Sequence, residues 1–250
     1  MFDRFLEANV RLSRWFASAL GLESDKPLWS AFEQSAAAEL RRLPAGSTVL
    51  DLGGGRRCVY AAALANRPPL RVIAVDVSPE ELALNTDVSE TCVADISARL
   101  PFPDASADLV LSRTALEHVN GVPAAVQEIA RTLRPGARTL HLVPCRYALF
   151  ALAARLLSFR RLLALLHVVN PAARSQIEFD VVYDHCYPKA MYSLFREAGF
   201  RDVSITVTYA QPGYFEPLFP VFLVTSLYEY VVRRLRLTSL SSYMFISAVR

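Results

Sequence analysis

At 250 residues the chain can bury a core that stabilises itself, and it reads as one domain with sizeable insertions. Its 27 basic and 24 acidic residues leave a formal net charge of +3, too small and too dispersed for a nucleic-acid surface. Cys58, Cys92, Cys145 and Cys186 have no paired metal-ligand spacing, so they are read as reduced thiols and no metal site is expected.

From Phe2 to Leu20 apolar residues recur at helical spacing and stop at Gly21. The first residues, Met1 to Glu7, mix charged and apolar side chains, which argues against a secretion signal and for a cytoplasmic protein. A second helix, about Leu28 to Leu43, ends before Pro44-Ala45-Gly46, so residues 1–44 form an N-terminal helical pair. The first strand, Thr48 to Leu52, enters the turn Gly53-Gly54-Gly55. Glycine lacks a Cβ and tolerates positive φ, so this turn can lay its amide groups against a small ligand.

A small-residue helix, about Val59 to Asn66, leads to the strand Arg71 to Asp76, and Ser78-Pro79-Glu80-Glu81 opens the next helix with a capping serine, an early proline and two acids. The third strand is Thr91 to Asp95 and the fourth Asp108 to Ser112. After Glu117-His118-Val119 comes a helix from Val122 to Leu133, closed by Pro135-Gly136, and a fifth strand from Arg138 to Val143. Strands alternating with helices at this spacing imply βαβ units and a mainly parallel sheet, whose ligands sit beyond the carboxyl ends of the strands. Asp51, Asp76 and Asp95 lie at those ends.

Two insertions follow. Residues 146–188 hold an apolar helix, Ala148 to Val169, studded with Arg155, Arg160 and Arg161, and then a polar run from Asp180 to Tyr187. Residues 210–241 lie between the sixth strand, Val203 to Tyr209, and the last, Ser242 to Val249. Glutamates interrupt this second insertion and Pro217 and Pro220 break it, which argues against a membrane-spanning helix. Its aromatic residues and closing arginines suit peripheral contact at a membrane's inner face, and equally a face buried on the sheet or in a homodimer. The mean hydropathy of +0.25 leans the same way.

Taken in order, Val49-Leu50-Asp51-Leu52-Gly53-Gly54-Gly55, Val75-Asp76, Ala94-Asp95, Leu100-Pro101-Phe102, Ala107-Asp108-Leu109-Val110, Leu116-Glu117-His118-Val119 and Leu133-Arg134-Pro135-Gly136 resemble the class I S-adenosylmethionine (SAM) dependent methyltransferases, in particular the methyltransferase type 11 group. The resemblance covers roughly residues 40 to 145, with a looser tail at Ala198-Gly199-Phe200. One position departs from the family's loop, where Arg57 stands in place of a third glycine and either crowds the turn or points to solvent.

The resemblance implies a Rossmann-like, doubly wound α/β fold with a seven-stranded, mainly parallel sheet whose last strand is antiparallel. It implies SAM as cofactor, with Gly53, Gly54 and Gly55 against its methionine part, Asp51 placing the loop and the amino group, Asp76 accepting from both ribose hydroxyls, and Asp95 with Ile96 at the adenine. Val77 and Ser112 complete that set. Glu117 and His118 would meet the acceptor, with His118 the one candidate base, and Tyr183, His185 and Tyr187 would line the capped acceptor pocket. His141 reads as a core histidine.

The expected reaction is methyl transfer to a small or lipid-linked acceptor. Two alternatives stay open. Gly53-x-Gly55-x-x-Cys58 nearly fits a dinucleotide fingerprint, which keeps an NAD(P)-dependent oxidoreductase in play, and Arg57 with the apolar insertions keeps a non-catalytic SAM-binding or interaction protein of the same fold.

Overall fold

The computed structural model describes residues 2–22, 24, 26–65, 69–156, 180–210 and 215–250. Helices α1 (Phe2–Ala19) and α2 (Lys26–Arg42) precede β1 (Thr48–Leu52), α3 (Ala61–Leu64), β2 (Arg71–Asp76), α4 (Pro79–Ala83) and β3 (Glu90–Val93). Then come β4 (Ala107–Arg113), a 3-10 turn at Leu116–His118, α5 (Val122–Thr132), β5 (Leu133–Pro144) and α6 (Leu149–Leu156). The chain closes with α7 (Pro188–Glu197), β6 (Arg201–Thr208), α8 (Phe219–Arg234) and β7 (Tyr243–Val249).

The seven strands form one sheet in the order β3-β2-β1-β4-β5-β7-β6. Strands β1 to β5 run parallel, with Leu50 opposite Ile73 and Val110, while β7 is antiparallel to both β5 and β6. The expected seven-stranded, mainly parallel sheet is therefore present. Strand order reverses direction between β1 and β4, the kind of switch point beyond which open α/β sheets hold ligands.

Side chains alternate across the sheet and fill two apolar layers. Leu50, Leu52, Ile73, Val75 and Val110 face a core shared with Val126 and Ile129 of α5 and Phe195 of α7. Val49, Val72, Leu109, Leu111 and Leu140 face Phe32, Ala36 and Leu40 of α2. Phe32 is wholly buried and meets Tyr60 and Phe245 edge to face.

Two local expectations need correction. Helix α5 ends at Thr132, and Pro135-Gly136 belong to β5, which already pairs at Leu133 with Ala107. The ladder then jumps from Leu133 to Arg138, so Arg134 to Ala137 bulge from it and the proline costs no ladder bond. Pro220 does not break its segment: it sits in the first turn of α8, where a missing NH is harmless. Of the helix expected from Ala148 to Val169, α6 covers Leu149–Leu156; positions 157–179, with Arg160 and Arg161, lie outside the described residues, as does Tyr214.

Candidate active site

The glycine turn ends β1 at the switch point. Gly53 has φ of 73°, and the amides of Gly53 and Gly54 donate to the Val75 carbonyl at 2.8 and 3.2 Å, pinning the turn against β2. A Cβ on Gly54 would stand 2.8 Å from that of Ala74, and one on Gly53 would collide with Ala115. The sequence therefore needs glycine here for both backbone angle and space. Gly53→Ala is expected to lower stability by roughly 1 to 3 kcal/mol and to displace the turn, read as a fall in melting temperature together with lost ligand binding. Arg57 has no positive φ and is exposed, so its departure from the family's loop strains no backbone.

Asp76, at the end of β2, is held from both sides: Oδ2 accepts from the Gly55 amide at 3.1 Å and Oδ1 from the Ser78 amide at 3.0 Å. Each oxygen keeps a further acceptor direction, so the carboxylate is oriented yet able to take two hydroxyls. Ser78 also caps α4, its Oγ accepting from the Glu81 amide at 3.1 Å. Glu81 then pairs with Arg56, whose Nε lies 2.6 Å away, and Asn85 donates to the Gly55 carbonyl at 2.9 Å. These two braces were not legible in the sequence.

The turn floors a cleft of about 910 Å³ lined by Asp51, Gly53, Gly54, Gly55, Asp76 and Val77 on one side. Asp51 is buried, and desolvation pushes its carboxyl up to about 7, against the lowering influence of Arg113 and with Asp76 adding a little. Arg113 and Trp29 belong to the cleft and escaped the sequence reading. The Arg113 guanidinium stacks 5.6 Å from the centre of the Trp29 ring.

Asp95, Ile96 and Ser97 continue the wall beyond β3. Asp95 is exposed, with Oδ1 accepting from the amide and hydroxyl of Ser97 at 2.8 and 2.7 Å. Ser112 does not join them. It is fully buried on the opposite face of β4 from Arg113, and its Oγ bonds His141 Nδ1 at 2.7 Å. His141 is a core histidine, its other nitrogen 2.6 Å from Thr139 Oγ1, and burial pushes its pKa down to about 3.

Glu117, His118 and Tyr183 meet at the far wall. Glu117 is 3 % exposed and its Oε2 has no hydrogen-bond partner, so desolvation lifts the carboxyl to about 8 and it is neutral at pH 7. His118 Nδ1 lies 3.0 Å from the Asp180 carbonyl, which only accepts, so Nδ1 carries the proton and Nε2 keeps its lone pair, 3.7 Å from Glu117 Oε1. Burial holds the His118 pKa below its ordinary value. The Glu117 carbonyl receives the amides of Val182 and Tyr183, both at 2.8 Å, which ties the end of the first insertion to this turn. His185 and Tyr187 are set apart from the cleft lining: His185 pairs with Asp184 at 2.6 Å and Tyr187 packs on Tyr147.

Among known proteins, the methyltransferase domain family matches residues 50–141, the span from β1 through β5 that carries the turn, Asp76, Asp95 and Glu117. Malonyl-[acyl-carrier protein] O-methyltransferase of Methylococcus capsulatus is 29% identical over 52% of this chain and 52% of its own. The 2-methyl-6-phytyl-1,4-hydroquinone methyltransferase of Synechocystis is 32% identical over 54% of this chain and 47% of its own. The chain thus spans about half the length of the curated relatives it matches. Geranyl diphosphate C-methyltransferase from Streptomyces coelicolor, solved with S-adenosylhomocysteine (SAH), superposes with a TM-score of 0.56 at 17% identity over 90% of this chain and 80% of its own, a likeness of fold.

Proposed function

We propose that this chain, which belongs to the class I SAM-dependent methyltransferases through residues 50–141, moves a methyl group from SAM to a small or lipid-linked acceptor held beside Glu117, His118 and Tyr183. The observation that carries the reading is the Asp76 carboxylate, fixed by two backbone amides over a glycine floor in which Gly53 and Gly54 have no room for a Cβ. That arrangement fits the implied cofactor: two oxygens for two ribose hydroxyls, and a flat backbone surface for the methionine part. Asp51 lies at the turn's other side, where a cationic amino group would draw its raised carboxyl back to the charged form.

Bound SAM supplies a methyl group already activated on a sulfonium. The protein's share is then mostly placement, since in-line positioning alone can supply about 7 to 11 kcal/mol of the barrier. Val119, Val181, Phe150, Phe215 and Tyr243 give the acceptor side an apolar wall. The relatives' names, a phytyl hydroquinone and a malonyl group on a carrier protein, agree with an acceptor that brings a chain of its own. For a hydroxyl acceptor, His118 Nε2 takes the proton as the oxygen–carbon bond forms, and the neutral Glu117 carboxyl can hydrogen-bond the same oxygen.

Transfer of labelled methyl from SAM to a panel of isoprenoid hydroquinones and smaller phenols tests this. The expected result is a methylated hydroquinone, with His118→Ala slower by roughly 10² to 10⁴ in kcat. SAM bound but never turned over with any acceptor would instead favour a non-catalytic relative of this fold.

A further inference from the structure

Helix α8 is folded inside out. Its buried positions are Thr225, Ser226, Glu229 and Val232, three of them polar, while Val221, Val224, Leu227, Tyr230 and Val231 face outward, with Leu235 just past its end. Val221, Val224, Val231 and Leu235 recur at the helical period of about 3.6 and make one stripe, in which Val224 is 64% exposed. A helix of a free-standing protein normally turns the other way.

Helix α1 packs beside it and also leaves large apolar side chains outside. Ser13 Oγ donates to the Glu216 carbonyl at 2.9 Å, Arg14 pairs with Glu216 at 3.0 Å, and Phe16 meets Phe219 edge to face. Its outward stripe is Phe5, Leu12 and Trp15, the last 66% exposed. Arginines border both stripes: Arg4, Arg11 and Arg14 on α1, and Arg234 and Arg236 at the end of α8, all exposed. Among the described side chains of these two helices and the turns flanking α8, the one acid exposed to a comparable degree is Glu7.

We propose that the joint outer face of α1 and α8 docks on an anionic lipid bilayer. Apolar side chains with a tryptophan, bordered by cations, are what sinks a helix pair into the headgroup boundary, where arginines reach the phosphates while their stems lie in the apolar layer. No helix among the described residues is long and apolar enough to cross a membrane, so the contact is peripheral. A second copy of the chain fits worse. An isologous contact would gather Arg4, Arg11, Arg14, Arg234 and Arg236 of both copies into one interface with few exposed acids to offset them, and like charges brought together are costly. Phe215, which lines the cleft, lies just before α8, so a docked chain would hold the cleft mouth near the bilayer.

The test is co-sedimentation of the full chain with vesicles of phosphatidylglycerol and phosphatidylcholine in roughly equal parts, against phosphatidylcholine alone, with light scattering in parallel. It needs neither cofactor nor turnover, so its failure is separable from failure of the methyl-transfer reading. Binding to the mixed vesicles is expected, with a blue shift in tryptophan emission that Trp15→Phe abolishes. Val224→Asp with Val231→Asp, both on solvent-facing positions, should weaken binding at least about tenfold, and Arg234→Gln and Arg236→Gln roughly fivefold each. The proposal is overturned by no association with either vesicle, by binding that the aspartate pair leaves unchanged, or by a dimer in solution that the aspartate pair dissolves.

Discussion

Asp76→Ala is expected to weaken binding of SAM and SAH about ten- to a hundredfold while the sheet stays folded. The carboxylate gives the ribose a paired acceptor at a fixed angle, because the amides of Gly55 and Ser78 hold one oxygen each. Losing a hydrogen-bond partner of that charged kind costs about 1.5 to 3 kcal/mol, and every 1.4 kcal/mol is about tenfold in affinity. The alanine also leaves two amides without their acceptor, so the glycine turn loosens together with the ribose contact. Asp76→Asn retains one acceptor oxygen and should fall between the two. Titration calorimetry reads the affinities and circular dichroism the fold; an alanine variant that binds like the parent would remove Asp76 from the site.

The second large effect is on stability against pH. Asp51 and Glu117 have ordinary values of 3.8 and 4.5, and in the folded chain burial raises them to about 7 and about 8. Between those limits the folded protein keeps two protons that the unfolded chain has released. The stability these two carboxyls contribute is therefore greatest on the acid side, falls as pH rises through the folded values and levels off above about 8, while His141 and His118, held neutral by burial, oppose the fall below their ordinary value of 6.5. Inside the window each group contributes a slope of up to about 1.4 kcal/mol per pH unit. Urea denaturation at pH 5.5, 7 and 8.5 should show a loss of several kcal/mol in total, on the order of the whole stability of a marginal domain. Asp51→Asn and Glu117→Gln should each flatten part of the slope, and a profile that rises across this range would mean the two carboxyls are ionised in the folded chain.

The parts of this fold that are set locally were readable in the sequence. Strands β1, β2 and β4 are short apolar runs bounded by turn residues, and each of the three lies within a residue of its expected place. Ser78 and Pro79 announce α4 because a cap and an N-terminal proline act within one turn. The errors arise where a distant partner decides. Pro135-Gly136 looks like a helix stop, yet Ala107 draws Leu133 into the ladder and the pair is absorbed in a bulge. The resemblance implies Ser112 at the cofactor, but the period of two sends it toward His141 and sends its neighbour Arg113 into the cleft.

The same holds for the site. Asp51, Asp76, Asp95 and the glycines stand at strand ends, so the sheet gathers them into one cleft without further information. Trp29 reaches it from α2, and Phe150 and Phe215 from the two insertions, through packing that no local pattern encodes. His185 and Tyr187 are expected in the acceptor pocket because the resemblance makes their segment its cap, yet Tyr183 of the same run is the member that reaches the cleft. The inside-out character of α8 was equally hidden, because an apolar segment tells nothing of which side the protein covers.

The most direct measurement is calorimetric titration of the purified full chain with SAM, SAH and NADH in parallel. SAM and SAH are expected to bind with one molecule per chain, while NADH gives no heat. Binding of NADH with none of SAM or SAH would contradict this and return the glycine turn to the dinucleotide reading.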